Sequence, residues 1–177
     1  SSASSALDIT IQFMNTREEL NTAVAAWIAD ETAATATYGD INEWDVSAIT
    51  DFSYLFKDKT TFDSDISNWD VSSGTNFSEM FNDADAFNQD IGSWDVTEAT
   101  SLRSIFFNNS SFDQDISGWA VSNNTDFRGM FYGTPFNQDI SAWDISNGTT
   151  FEYMFAHVDE FNQDIEVWDV HPGADLY

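Results

Sequence analysis

The sequence predicts an α/β solenoid: a right-handed superhelix of about 25 residues per coil with a helical N-terminal cap. Three observations carry that expectation. Trp44, Trp69, Trp94, Trp119, Trp143 and Trp168 lie 25, 25, 25, 24 and 25 residues apart. Other columns keep the same phase, with Ile before each Trp, Val or Ile after it, and then Thr and Phe or Leu. Ahead of the first repeat the pattern changes to an amphipathic helix. Self-similarity at such a period marks a repeat architecture, and stacked repeats need their open end covered.

Taken in order, Ser1 to Ala6 lack the basic and apolar regions of a signal peptide and read as a flexible terminus. Leu7, Ile9, Ile11 and Phe13 alternate with polar residues, the pattern of a half-buried strand. Thr16 and Glu19 form a capping-box signature. Leu20, Val24, Trp27 and Ile28 then keep helical spacing to about Ala29. Residues 30–37 read as a connector, so 1–37 form the cap and its link.

Residues 38–170 are the repeats, five to six coils. Ile41-x-x-Trp44-x-Val46 and its later copies fit the strand template of a leucine-rich repeat. The following Thr-x-Phe-x-x-[Leu/Met/Ile]-Phe places apolar residues at i, i+3 and i+4, one helical face, with the Thr as its expected N-cap. A return loop ends in Phe62, Phe87, Phe112, Phe136 or Phe161. The 24-residue copy loses its residue between Phe131 and Phe136, where Gly133 and Pro135 mark a loop. No matching cap pattern appears in the tail, 171–177. It is expected to fold over the last coil, to lead into further chain, or to leave an edge for end-to-end self-association.

The recurring Phe-Asn-Gln-Asp-Ile-x-x-Trp-Asp-[Val/Ile]-Ser with Met-Phe after it resembles the BspA-like leucine-rich-repeat surface proteins, bacterial surface proteins with a repeat of similar length. Residues 16–46 resemble the lead-in of such proteins in aquatic microbes and algae. The resemblance implies a secreted or cell-surface, non-enzymatic recognition or adhesion module for a protein or glycan ligand. The chain departs from it before the repeat Thr, where Val is usual and Ile49, Gly74, Ala99, Asn124 and Gly148 stand.

Lys and Arg total 5 against 31 Asp and Glu, a net charge of −26. Such a surface repels phosphate backbones and anionic membranes, and no apolar run is long enough to span a bilayer. With hydrophobic residues at 42% the chain can still build a core. There is no cysteine, hence no disulfide, thiolate metal site or Cys nucleophile.

Much of the charge falls in two columns. Asp45, Asp70, Asp95, Asp144 and Asp169, interrupted by Ala120, are expected on the outward strand face beside Ser47, Ser72, Thr97, Ser122 and Ser146. These ten residues are the candidate ligand-binding face. Carboxylates about 4.8 Å apart repel by roughly 3–4 kcal/mol at an effective dielectric near 20. Raised pKa values, hydrogen bonds from the hydroxyl column or bound cations could relieve that, which makes Asp70 and Asp95 candidate calcium ligands. The second column, Asp40, Asp65, Asp90, Asp115, Asp139 and Asp164, is unbroken and reads as a structural turn.

Structural-spacer and ice-binding readings stand beside recognition, the latter resting on the Thr column. No catalytic residue is assigned, because His157 and His171 sit in no triad or metal pattern and glycoside hydrolysis needs two carboxylates in special environments. Sequons at Asn76, Asn108, Asn109, Asn123 and Asn147 are expected by chance in so Asn-rich a chain. Arg103, Arg128 and Glu152 share one repeat position and predict a surface charge column.

Overall fold

The computed structural model describes residues 12–176. Ser1 to Ala6 and the alternating positions Leu7, Ile9 and Ile11 lie outside the described residues. Of that expected strand only Phe13 is seen, as a single parallel bridge to Asp45. Its side chain is exposed, and Met14 is the one buried.

The cap helix α1, Arg17–Ala29, starts where the capping box places it. Thr16 Oγ1 accepts from Glu19 N at 3.2 Å, and Glu19 Oε2 accepts in return from Thr16 N at 3.0 Å. Leu20, Ala23, Val24 and Trp27 form its buried face. The stretch expected as a connector is instead a second helix, α2, Glu31–Tyr38, capped by Asp30 accepting from Ala33 N. A single 3₁₀ turn, Ile41–Glu43, leads into the first repeat.

The repeats correct the expected α/β solenoid. Among the described residues there is no sheet and no named strand, and no α-helix lies within a repeat. The physical cause is where the backbone N–H groups go. In the Ile-x-x-Trp segment each Trp N donates to the Ile carbonyl three residues earlier, as in Trp69 to Ile66 at 3.2 Å and Trp94 to Ile91 at 3.1 Å. That closes a turn and leaves no strand ladder.

In the expected helix, alternate N–H groups leave the repeat altogether. Phe77, Glu79, Phe81 and Asp83 donate to the carbonyls of Ser101, Arg103, Ile105 and Phe107 in the next repeat, at 2.8–3.0 Å. Glu79 and Asp83 hold φ of 57° and 53°, and Tyr54, Asp58, Ser104, Asn108, Gly129, Gly133, Tyr153 and His157 repeat that left-handed conformation in the other copies. A right-handed helix cannot pass through such residues. The repeat is therefore a succession of turns. Beside those bonds, its β-type pairing with neighbours is one residue wide, through the parallel bridges Asp51–Asn76–Ser101–Asp126–Thr150–Asp175.

The apolar columns nevertheless go inward as their spacing requires. Phe56, Phe81, Phe106, Phe131 and Phe155 stack at 5.5–6.1 Å between ring centroids. Each also lies on the return-loop Phe of its own repeat at 3.7–4.3 Å. Burying each Phe contributes about 1.5–3 kcal/mol, with roughly 0.5–1.5 kcal/mol more for each offset-stacked pair. The indole of each later Trp reaches back to the Ile carbonyl of the repeat before: Trp69 Nε1 donates to Ile41 O at 2.7 Å, and Trp94, Trp119, Trp143 and Trp168 repeat the bond.

The shortened repeat keeps this packing. Thr134 Oγ1 donates to Phe131 O at 2.8 Å and accepts from Phe136 N at 3.4 Å, so a hydroxyl closes the turn with one residue fewer.

Candidate functional site

The first Asp column is built from local turns. Asp45 Oδ1 accepts from Ser47 N at 3.0 Å and Ser47 Oγ at 2.6 Å. Asp70 and Ser72 repeat the pair at 3.1 and 2.6 Å, and Asp144 and Ser146 at 3.1 and 2.7 Å. Asp95 accepts from Thr97 N at 3.0 Å. Side-chain oxygens bonding two residues on are what Asp supplies to turns.

Of the three ways to relieve the carboxylate column, the hydroxyl partner is the one seen. It holds the Asp45, Asp95 and Asp144 carboxyls below the usual carboxylate range, reinforced by the backbone N–H of the same Ser or Thr. For these three the shift runs opposite to the raised values that repulsion alone would give. Asp70, Asp95, Asp144 and Asp169 are exposed and Asp45 is half-buried. Asp169 lacks the hydroxyl partner, since His171 stands two residues on. Ser122, paired with Ala120, instead offers its carbonyl to Asn147 Nδ2 at 2.9 Å. Among the described residues no group of three or more His, Cys, Asp or Glu is placed to hold a metal ion.

The second Asp column is a turn in all six copies. Asp40, Asp65, Asp90, Asp115, Asp139 and Asp164 each accept from the backbone N two residues on, at 2.9–3.0 Å. The Thr column is not a set of helix caps. Thr75, Thr100, Thr125 and Thr149 each donate both N–H and Oγ1 to the Thr carbonyl of the preceding repeat.

A third ladder joins Asp63, Asn88, Asp113, Asn137 and Asn162. The Oδ1 of each of the first four accepts the backbone N of the equivalent residue in the next repeat, at 2.8–3.0 Å. Gln89, Gln114, Gln138 and Gln163 donate Nε2 to the same residues' carbonyls, at 2.8–3.1 Å. The recurrence of Asn-Gln ahead of the turn Asp is the signal for this ladder. In the first copy Ser64 stands where Gln would be and accepts from Trp27 Nε1 at 2.9 Å, tying repeat to cap.

At the cap, Arg17 takes over bonds that a preceding repeat would make. Its guanidinium donates to Asp51 O at 2.7 Å and to Ser53 O. Those carbonyls correspond to Asn76 O and Ser78 O, which accept from Phe52 N and Tyr54 N. Burial lowers the Arg17 pKa, with Asp51 opposing. Trp44 Nε1, in the first repeat, is buried without an acceptor among the described residues and meets Trp27 edge-on at 5.8 Å.

The expected surface charge column forms an ion pair between Arg128 and Glu152 at 2.7 Å, with Lys57 and Glu79 as a second pair at 2.5 Å. Of the sequon residues, Asn109 is fully buried and donates to Phe87 O. No helix among the described residues is long and apolar enough to cross a membrane.

A family model described as Mycoplasma protein of unknown function, DUF285, matches residues 24–135 and 125–176. No curated protein and no solved structure matches the chain.

Proposed function

The chain belongs to the DUF285 family, and on that premise we propose that it is a non-enzymatic recognition or adhesion module, extracellular or displayed at the cell surface. The observation that carries this reading is the row of exposed carboxylates at Asp70, Asp95 and Asp144, in line with Asp45. Three of these four are held ionised by their own Ser or Thr neighbours. A ligand that meets them finds a fixed, water-facing series of acceptors repeated along the stack. Hydroxyl-rich glycans or a cationic protein segment fit such a surface. The resemblance of the Phe-Asn-Gln-Asp-Ile-x-x-Trp-Asp motif to the BspA-like surface proteins supports the same class.

Catalysis has no comparable support, because the carboxylate shifts run in one direction and general acid–base chemistry needs a pair whose acidities are pushed apart. A calcium role for Asp70 and Asp95 is the weaker reading, since Asp70 is already bonded to Ser72 and Asp95 to Thr97. Ice binding is weaker still, since the Thr75, Thr100, Thr125 and Thr149 hydroxyls already donate to the preceding repeat.

The test is capture on glycan and protein arrays by the wild-type chain and by Asp70→Asn/Asp95→Asn. Asn keeps the Oδ1 acceptor of each turn and removes the charge. Reduced capture at an unchanged melting temperature is expected; equal capture by both would overturn this face as the recognition surface.

A further inference from the structure

The two longest stretches of the chain without Asp or Glu are 99–112 and 127–138. They cover the same part of the third and fourth repeats. Arg103 and Phe107 lie in the first, Arg128 and Tyr132 in the second. Ser104 N donates to Arg128 O at 2.8 Å and Asn108 N to Tyr132 O at 2.7 Å, so each residue of one pair sits beside its counterpart. The rings of Phe107 and Tyr132 stack at 4.3 Å with 6° between their planes, and both remain half-exposed.

The two guanidiniums are unequally satisfied. Glu152 Oε2 lies 2.7 Å from Arg128 Nε, which orients that fork and leaves its two Nη groups without an acceptor among the described residues. Arg103 is exposed, and its side chain has neither an ion pair nor a hydrogen bond among the described residues. Two like charges on neighbouring repeats with one paired carboxylate leave a local surplus of positive charge. The backbone beside them is bare as well. Gly129 and Gly133 hold φ of 58° and 67°, where the second repeat places Glu79 and Asp83 in the same conformation. That conformation alone therefore does not call for glycine. What glycine supplies is room: a Cβ on Gly129 would lie 3.2 Å from Phe107 Cδ2, and one on Gly133 3.0 Å from Asn108 Oδ1.

We infer that this strip is a binding surface for a protein segment that sets a carboxylate beside an aromatic or other apolar side chain. It lies on a different part of the coil from the Asp70–Asp144 row and takes the opposite charge. Arginine grips a carboxylate through two parallel N–H bonds, and Arg103 and Arg128 offer such forks in neighbouring repeats. Because Phe107 and Tyr132 stack from one repeat to the next, they turn their edges outward and use their faces on each other. A ring edge carries partial positive charge, which suits a carboxylate and gives a sugar no flat platform. Tyr, Phe and Arg are also the side chains enriched at protein interfaces. The net charge of −26 repels polyanions at a distance, so the segment carries isolated carboxylates rather than a run of them.

The experiment selects a displayed library of random peptides on the full chain and measures the affinity of the enriched peptides for three variants. Enriched sequences are expected to place Asp or Glu next to Phe, Tyr, Trp or Leu. Arg103→Ala, which breaks no side-chain bond among the described residues, should weaken them by about tenfold or more. Gly133→Asp, which installs the residue of the second repeat beside Tyr132, should weaken them as well. Asp70→Asn/Asp95→Asn should bind them as the wild type does, so this surface and the Asp row stand or fall separately. No enrichment beyond that obtained on Arg103→Ala, or peptides indifferent to both Arg103→Ala and Gly133→Asp, would overturn the inference. So would Arg103-dependent retention of uronic-acid oligosaccharides in place of peptides. A concentration-dependent dimer of the wild type that Arg103→Ala abolishes would also overturn it, since the occupant would then be a second copy.

Discussion

The ring of Phe77 fills the space that a side chain at Gly74 would need. A Cβ on Gly74 would lie 2.4 Å from Phe77 Cζ and 2.9 Å from Val71 O. Phe151 stands over Gly148 in the same way, at 2.3 Å. Phe77 is fully buried and stacked on Phe52 at 5.2 Å, so it has nowhere to retreat. In the third repeat the same two positions hold Ala99 and Leu102, both buried. In the second, third and fifth repeats the position before the repeat Thr and the ring position three residues later thus trade volume, whereas Ile49 with Phe52 and Asn124 with Phe127 pair a larger residue with the same buried ring.

Gly74→Ala should therefore destabilise the chain by about 1–3 kcal/mol, the usual cost of overpacking. Gly74→Ala/Phe77→Leu, which rebuilds the Ala99–Leu102 pair, should lose less than the sum of the two single changes. Denaturant unfolding of the four chains measures the coupling directly; strict additivity would contradict the volume match.

Arg17→Met should weaken the attachment of the cap by about 2–3 kcal/mol, because hydrogen bonds to a charged donor are worth more than neutral ones. The signature is early amide exchange in α1 and at the start of the first repeat. Arg17→Lys should recover only part of the loss, since an ammonium is a point donor without the planar fork that spans two carbonyls.

In the Asn ladder, Asn88→Leu should cost about 1–3 kcal/mol by leaving the part-buried Asp113 N–H without its acceptor. Asn88→Asp should be close to neutral, because Asp63 and Asp113 perform the same task in neighbouring repeats. Gln114→Glu should destabilise, as a carboxylate has no N–H to give Asn88 O. Thermal melts of the three variants separate acceptor from donor.

Acid should unfold the protein through its Asp turns. The folded-state pKa values of Asp45, Asp95, Asp115, Asp139 and Asp144 lie below their ordinary value. Their contribution is complete above the unfolded pKa near 3.9 and is lost as pH falls through the lower folded values. A melting curve that drops steeply below about pH 4, and less steeply in Asp95→Asn, is expected. Between neutral pH and that point, added salt should raise stability by screening a net charge of −26.

The period, the inward columns, the capping box and the turn role of the second Asp column were all legible in the sequence. Each is a matter of side-chain type at a fixed spacing. What spacing could not specify is the partner of each backbone N–H. An i, i+3, i+4 pattern sends Phe77, Met80 and Phe81 to one side whether the chain is helical or folded into consecutive turns. Only the left-handed residues Glu79 and Asp83, neither of them Gly, distinguish the two. Helix α2 was hidden for the opposite reason: Glu31–Tyr38 is rich in Ala and Thr and has one buried residue, Ala34, so it carries no apolar period. The candidate Asp face was visible as a column with its hydroxyl neighbours among three expected means of relief; which of the three operates appeared with the geometry of Ser47, Ser72 and Ser146.

The indole bond from Trp69, Trp94, Trp119, Trp143 and Trp168 to the repeat before gives the stack a mechanical direction. Every link between repeats joins residues about one period apart in the chain, so tension applied at the two ends would load these links one junction at a time. Each released repeat of 25 residues would pay out about 85 Å of extended chain. Pulled from both ends, a chain linked this way is expected to lengthen in steps of about that size, one per repeat.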